Sequence, residues 1–161
     1  MKAIHSIQHT VNSFIGKDPD LSKYDYHVAA SLLERYFRSL DQGVIPEWFF
    51  DHYKQHRPKT VDERVKMLTD LASQLPVHVQ KLLRFVLRYL EKLESFSNIT
   101  KMTSDNLAIV WGPLLLDHPS IVNIMQMLSD TPLKSEITHL MILNASKIFP
   151  EVILIWLLFI D

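Results

Sequence analysis

The chain has 161 residues, 47% of them apolar and 22% charged, which is the length and composition of one folded globular domain. With 17 basic and 18 acidic residues its net charge is −1, so the overall charge selects neither nucleic acid nor an anionic membrane, and a partner must be recognised by a local patch. There is no cysteine, which excludes a disulfide scaffold and thiolate metal sites.

The glycine content favours a helical protein. Gly16, Gly43 and Gly112 are the three glycines, and they stand too far apart to build a strand–loop–helix phosphate motif. All-β and α/β domains usually use more glycine in their turns and phosphate loops. We therefore expect the periodic apolar segments to be helices.

The first four predicted helices follow one another from residue 27. Residues 27–40 place apolar side chains on one helical face, with charged residues between them. Pro46 precedes EWFFDHY, and proline suits the first turn of a helix. Thr60 and Glu63 have the spacing of a capping box and predict a third helix start. Pro76 then interrupts the pattern, and the longest periodic run in the chain follows it as a fourth helix.

The stretch KMTSDNLAIVWGPLLL predicts a fifth helix with a defined start. Thr103 is placed to cap this helix, and Asp105 lies near its positive end. Gly112-Pro113 is expected to stop it, because a proline inside a helix removes a hydrogen bond.

The rest of the chain predicts two more helices and an apolar tail. The helices cover residues 119–129 and 135–149, so the expected fold is all-α, with one helical domain over 1–149 and a tail over 150–161. The tail contains the run VILIWLLFI, which is too short to span a bilayer, since a spanning helix needs about 20 residues. Two interpretations of the tail stay open, an extension packed on the core and a segment foreign to the fold, and a membrane anchor is a third, less favoured one.

No residue pattern predicts an active site of the chain's own. The pairs His5/His9 and His52/His56 have helical spacing, but neither is an HExxH motif, and no cysteine or tight carboxylate cluster completes a metal site. A GxSxG serine motif is absent. We therefore expect no metal, no cofactor and no enzymatic site. The opening MKAIHSIQHTVNSF has no apolar block of signal-peptide length, and a cytoplasmic protein is expected.

Three segments, in the right order, resemble the domain family of Rho GTPase-activating (RhoGAP) proteins. DPDLSKYDYHVAASLLERYFRSL, residues 18–40, is similar to the family's HVVASLLKxYLRELPEPLIP. LPVHVQKLLRFVLRYLEKL, residues 75–93, resembles LPxxNxxxLxxLLxHLxxV, and NITKMTSDNLAIVWGPLLL, residues 98–116, resembles NKMTxxNLAIVFGPxLL. The likeness extends over residues 18–149 and implies the family's all-α fold and a role in small-GTPase signalling.

The resemblance also implies a partner, a GTP-bound Rho-type GTPase, and a surface that contacts it. Arg38 matches the arginine that faces the GTPase, Asn106 matches the asparagine that hydrogen-bonds at its switch region, and Ile109 and Pro113 match positions around the same surface. Simpler interpretations exist: an ion pair between Arg38 and Glu34, and an ordinary helix-start role for Asn106. Nucleic acid is not expected as a partner, and a membrane only indirectly through the GTPase.

Two departures from the family pattern bear on catalysis and on the contact with the GTPase. The family inserts an arginine finger, carried in a GxFRxSG loop ahead of the HVVASLL helix, and such a finger typically accelerates hydrolysis ~10³–10⁵-fold. Arg35 is the first arginine here, so the finger is absent from these residues, and the usual first helix and finger loop are expected to be missing. Glu34 stands where the family has lysine, which inverts the charge offered to the GTPase.

Three functional hypotheses follow from the resemblance to the RhoGAP family and the differences from its pattern. The chain is a GTPase-binding domain with weak activation of hydrolysis, or a non-catalytic docking module of the same fold. Alternatively, it is part of a complete domain whose finger loop precedes Met1 in a longer protein.

Overall fold

The fold is known from a computed structural model, which describes residues 26–38, 40, 43–117 and 124–150. Within these residues every regular element is helical, as the sequence predicts. The helices in chain order are α1 (Tyr26–Arg38), α2 (Glu47–His56), α3 (Val61–Ser73), α4 (Val77–Glu94), α5 (Ser97–Thr100), α6 (Ser104–Leu116), α7 (Ile124–Leu143) and α8 (Ala145–Ile148).

Contacts divide the chain into two compact units, Met1–Asp41 and Gln42–Asp161. The first unit contributes α1, and the second contains α2 to α8. The predicted domain limits, 1–149 and 150–161, stay a prediction, because residues 151–161 lie outside the described part of the chain.

The predicted helix starts are confirmed. Pro46 and Pro76 each stand immediately before the first residue of a helix, α2 and α4. Thr60 and Glu63 form the full capping box at α3: the Thr60 hydroxyl accepts from the Glu63 backbone N–H, and the Glu63 carboxylate accepts from the Thr60 backbone N–H. These starts are set by groups within one helical turn, which is why short sequence motifs locate them.

Two predicted helix ends are wrong, and both involve proline. Helix α6 continues through Pro113 to Leu116, and α7 runs without interruption through Pro132, where the sequence predicts a break between residues 129 and 135. A proline removes one helical hydrogen bond but leaves the flanking turns intact. At α7 the packing of residues on both sides of Pro132 outweighs that loss, since Asp130, Lys134, Ile137 and Thr138 are all buried.

The core of the second unit lies where the inner faces of its long helices meet. Helices α3 and α4 both contact α7 and α8, and α6 packs along α7. Its largest fully buried apolar side chains are Phe49, Tyr53, Ile45, Leu68, Leu83, Leu87, Leu90, Leu115, Ile137, Met141 and Ile142. Burial of this apolar surface is the main term that stabilises such a bundle.

An ion pair made by a buried lysine fixes the end of α6 against α7. Lys134 is only 1% exposed, and its Nζ lies 2.6 Å from Oδ1 of Asp117, the residue that follows α6. The same Nζ is 5.3 Å from the centre of the Phe50 ring. Beside it, Lys54 Nζ is 2.6 Å from Oδ1 of Asp130. A buried charge without a partner is costly, so the position of Asp117 is constrained by Lys134.

A second polar cluster joins α2, α3 and α7 around Glu136. Tyr53 Oη and Arg57 Nε each donate to Glu136 Oε1 at 3.0 Å, a second Arg57 nitrogen bonds Oε2, and Arg64 Nη1 lies 3.3 Å from Oε1. Burial alone raises the pKa of Glu136, but hydrogen bonds from Arg57 and Tyr53 and the two guanidinium charges outweigh it, so the pKa is lowered. Burial, followed by the charge of Glu136, raises the pKa of Tyr53.

We predict that Glu136→Gln lowers the free energy of unfolding at pH 7 by about 1.5–3 kcal/mol, because it removes charge-assisted hydrogen bonds from three partners. Since the folded-state pKa is lowered, the carboxylate's contribution is complete above the ordinary glutamate value of 4.5 and is lost as the pH falls through the lowered pKa. Urea unfolding between pH 7 and pH 3 measures both effects.

Asp51→Asn is the matched control, since it removes an exposed carboxylate from α2. It should leave the stability at pH 7 within about 0.5 kcal/mol of the parent. Equal destabilisation by the two substitutions would contradict the role assigned to Glu136.

Candidate functional site

The start of α6 is built by a capped turn that precedes it. The Thr103 hydroxyl accepts a hydrogen bond from the Asn106 backbone N–H at 3.3 Å, which confirms the predicted cap. Just upstream, Lys101 has a left-handed backbone with φ 60°, and its N–H donates to the Ser97 carbonyl at 2.8 Å. A non-glycine residue in this conformation needs support from its surroundings.

Asn106 supplies part of that support. Its Nδ2 donates to the Lys101 carbonyl at 2.9 Å, so the ordinary helix-start role considered for this residue is present. The residue is nevertheless exposed. A carboxamide has two N–H groups and an acceptor oxygen, so one bond to Lys101 leaves a donor and an acceptor for a partner. The same bond holds the side chain in one orientation.

Three of the four predicted contact residues lie together on the outer face of α6. Asn106, Ile109 and Pro113 follow the i, i+3, i+7 spacing that brings side chains to one side of a helix. Ile109 is 61% exposed, and Val110, at i+4 from Asn106, is 55% exposed. We call Asn106, Ile109, Val110 and Pro113 the α6 face. Sequence reasoning missed Val110, although its spacing from Asn106 could have indicated it.

The close approach of Gly112 to α7 explains why the α6 face is exposed to solvent. A Cβ at this position would lie 3.2 Å from the carbonyl carbon and oxygen of Lys134 and 3.3 Å from the nitrogen of Ser135. The absence of a side chain therefore lets α6 approach the backbone of α7 closely. With Gly112, Leu115 and Ala108 buried, the opposite side of α6 carries the exposed residues.

Arg38 and Glu34 lie on α1, in the first unit. Arg38 Nε donates to Glu34 Oε1 at 3.1 Å, and both side chains are more than half exposed. The simpler interpretation of Arg38, a surface ion pair, is thus realised in the structure. The acidic residue at the altered family position therefore engages the arginine that the resemblance assigns to GTPase contact.

Other features that could carry chemistry have local partners. His52 and His56 stack with ring centres 4.5 Å apart, and among the described residues no group of three or more His, Cys, Asp or Glu side chains is placed to hold a metal ion. His5 and His9 lie outside the described residues.

A shallow surface cleft of about 230 Å³ is lined by His52, Glu63, Lys66, Met67, Asp70 and Leu71. Among the described helices, none has the length and apolarity needed to cross a membrane.

Comparison with known proteins gives the class to which this fold belongs. The sequence model of the RhoGAP domain family matches residues 2–120. Rho GTPase-activating protein 24 of Rattus norvegicus is 31% identical over 140 residues, which cover 84% of this chain and 19% of that protein. Rho GTPase-activating protein gacN of Dictyostelium discoideum is 32% identical over 131 residues, 79% of this chain and 21% of that protein.

Solved structures show the same fold. The BH domain of Graf, the GTPase regulator associated with focal adhesion kinase, superposes with a TM-score of 0.75 at 25% identity, covering 91% of this chain and 79% of that one. Human Rho GTPase activating protein 15 gives 0.78 at 24% identity, covering 91% and 71%, and this likeness concerns the fold.

The chain therefore belongs to the RhoGAP domain family, as its three sequence segments predict. It spans about a fifth of the length of the curated relatives Rho GTPase-activating protein 24 and gacN. The all-α fold and the family are established by these matches together with the helices described above.

We predict that Gly112→Ala destabilises the chain by about 1–3 kcal/mol, because the new methyl group meets the backbone of α7 and not a flexible side chain. At a solvent-exposed helix position the same substitution stabilises by about 1 kcal/mol. The sign of the change in unfolding free energy therefore shows whether the new methyl group meets the α7 backbone. Thermal or urea unfolding measures it. An increase in stability would show that α6 and α7 are not in close contact at this point.

Proposed function

We propose that this chain regulates a small GTPase of the Rho type by binding its GTP-bound form through the α6 face and Arg38. We further propose that these residues alone accelerate GTP hydrolysis weakly. Family membership supports the partner class, and the exposure of Asn106, Ile109 and Val110 on a well-anchored helix is the observation that carries the binding surface.

The composition of the α6 face suits a protein interface. Ile109 and Val110 offer adjacent apolar side chains that lose water-exposed area when a partner covers them. Asn106 adds a donor and an acceptor whose direction is already fixed by its bond to Lys101. A side chain held in place before binding loses less conformational entropy on association.

Arg38 is available at small cost in spite of its ion pair. Both members of the pair are solvent-exposed, and an exposed pair at i, i+4 stabilises a helix by ~0.3–0.5 kcal/mol. A GTPase carboxylate or carbonyl can therefore replace Glu34 as the partner of Arg38. Glu34 itself remains as a negative charge beside the contact, and it weakens binding to an acidic GTPase surface.

Weak acceleration follows from the charges of the reaction. In the transition state for GTP hydrolysis, negative charge spreads over the transferring phosphoryl group, and an inserted arginine offsets it. The residues before α1 contain no arginine, since Arg35 is the first. What this chain can still supply is the ordering of the GTPase's own water-positioning residue through the α6 face.

A second candidate function is a docking module that binds a GTPase without any effect on hydrolysis. The observation that favours it is the Glu34–Arg38 pair, which removes the net positive charge of the α1 contact. A longer protein that carries a GxFR loop ahead of Met1 would instead have the complete catalytic set.

Binding and single-turnover hydrolysis with Rho, Rac and related GTPases test the proposal. We predict binding to the GTP-bound form, a hydrolysis rate raised far less than the ~10³–10⁵-fold of an arginine finger, and a 5- to 30-fold loss of affinity for Asn106→Ala. Val61→Ala, an exposed apolar residue on α3, is the control and should bind like the parent.

The outcomes separate the candidates. Binding with an unchanged hydrolysis rate at saturation favours the docking module. No binding to either nucleotide state, with the chain folded by circular dichroism, contradicts both. Because Asn106 also supports the Lys101 turn, the unfolding free energy of Asn106→Ala is measured in parallel, and a change in affinity without loss of fold supports a direct contact.

We also predict that Glu34→Lys tightens GTPase binding by roughly 3- to 10-fold at low salt, because it frees Arg38 and adds a second positive charge. The gain should shrink as ionic strength rises. Asp51→Lys makes the same change of charge on α2 and should leave affinity within about twofold. Equal effects of the two substitutions would mean that net charge, and not the α1 contact, determines affinity.

A further inference from the structure

The outer face of α4 carries a row of basic and aromatic side chains that the proposed GTPase contact does not use. These exposed residues are His78, Lys81, Phe85, Arg88, Tyr89 and Lys92, which we call the α4 stripe. At 100° per residue, all six fall within a sector of about 100° around the helix. None of them belongs to the α6 face.

The aromatic members of the stripe are not core residues. Phe85 is 76% exposed and Tyr89 is 53% exposed. The core side of α4 is formed by other residues, Val79, Leu83, Val86, Leu87 and Leu90, all of them buried. An aromatic pair at i, i+4 is usually explained by packing against the core, and here that explanation does not apply because the pair points to solvent.

The charged residues of the stripe are all positive. Lys81, Arg88 and Lys92 are exposed, while the two acidic residues of α4, Glu91 and Glu94, lie about 120° and 180° around the helix from Phe85. Arg88 Nη1 is 3.0 Å from Glu91 Oε2 at the edge of the stripe, and an exposed pair of this kind exchanges easily for another anion.

We propose that the α4 stripe binds the surface of an anionic lipid bilayer. A membrane surface is favoured over a protein groove because the stripe lies along the exposed side of one helix and combines aromatic rings with basic side chains. On such a surface aromatic rings enter the headgroup region, and lysine and arginine reach the lipid phosphates. Each basic residue near an anionic leaflet strengthens binding about fivefold.

This contact goes beyond the proposed function and beyond the sequence-based expectation of a membrane reached only through the GTPase. The chain's net charge of −1 gives no indication of it, because the basic residues of the stripe are balanced by acids elsewhere. A peripheral contact of this kind needs no spanning helix.

Co-sedimentation of the full chain with phosphatidylcholine vesicles, with or without 30% phosphatidylserine (roughly the anionic content that gives a negative leaflet), tests the proposal. We expect binding to the anionic vesicles alone, falling with added salt. Lys81→Glu/Lys92→Glu should weaken it at least tenfold, whereas Lys59→Glu, in the exposed loop before α3, should change it less than twofold. Equal binding to both vesicle types, or no loss in the double variant, overturns the proposal.

Insertion of the aromatic pair is tested separately, and the absence of cysteine allows one labelled position at a time. An environment-sensitive fluorophore on Phe85→Cys should shift to the blue on anionic vesicles, and the same label on Val61→Cys should not. An unlabelled single-stranded RNA that binds with the same dependence on Lys81 and Lys92, while vesicles do not, assigns the stripe to nucleic acid and overturns the proposal.

Discussion

The burial of Lys134 is the constraint on which the arrangement of the second unit depends. A lysine that is 1% exposed must keep a counter-charge close, and Asp117 at the end of α6 provides it at 2.6 Å. The pairing sets where α6 ends relative to α7. Gly112, one turn earlier, then lets the two helices touch backbone to backbone. Together these contacts determine which side of α6 is left to solvent.

The exposure of the α6 face is a consequence of that packing, and its polar residue, Asn106, has two roles. Asn106 supports the left-handed turn at Lys101 and at the same time keeps hydrogen-bonding groups at an exposed position. A structural role and a binding role are often treated as alternatives. Here the structural bond is what orients the amide, so a substitution at Asn106 affects the turn and the proposed contact together.

Local charge on α1 and α4 differs from the near-neutral charge of the whole chain. The helical fold is that of the RhoGAP family, and the resemblance of residues 18–40 to the family pattern implies a lysine at the position of Glu34, which here pairs with Arg38. The outer side of α4 shows the opposite: positive charge gathered on one stripe although the chain as a whole is nearly neutral. The proposed GTPase contact and the proposed membrane contact therefore both depend on local charge on a single helix and not on net charge.

The sequence by itself determined the helical class, the family and most helix starts, because caps such as Thr60 and Thr103 act within one turn. It also named the residues of the α6 face except Val110. Only the tertiary structure decided that helices continue through Pro113 and Pro132. It also decided that Glu136 bonds to Tyr53, Arg57 and Arg64, and that Phe85 is exposed to solvent. Those features depend on packing between residues far apart in the chain, which local periodicity does not encode.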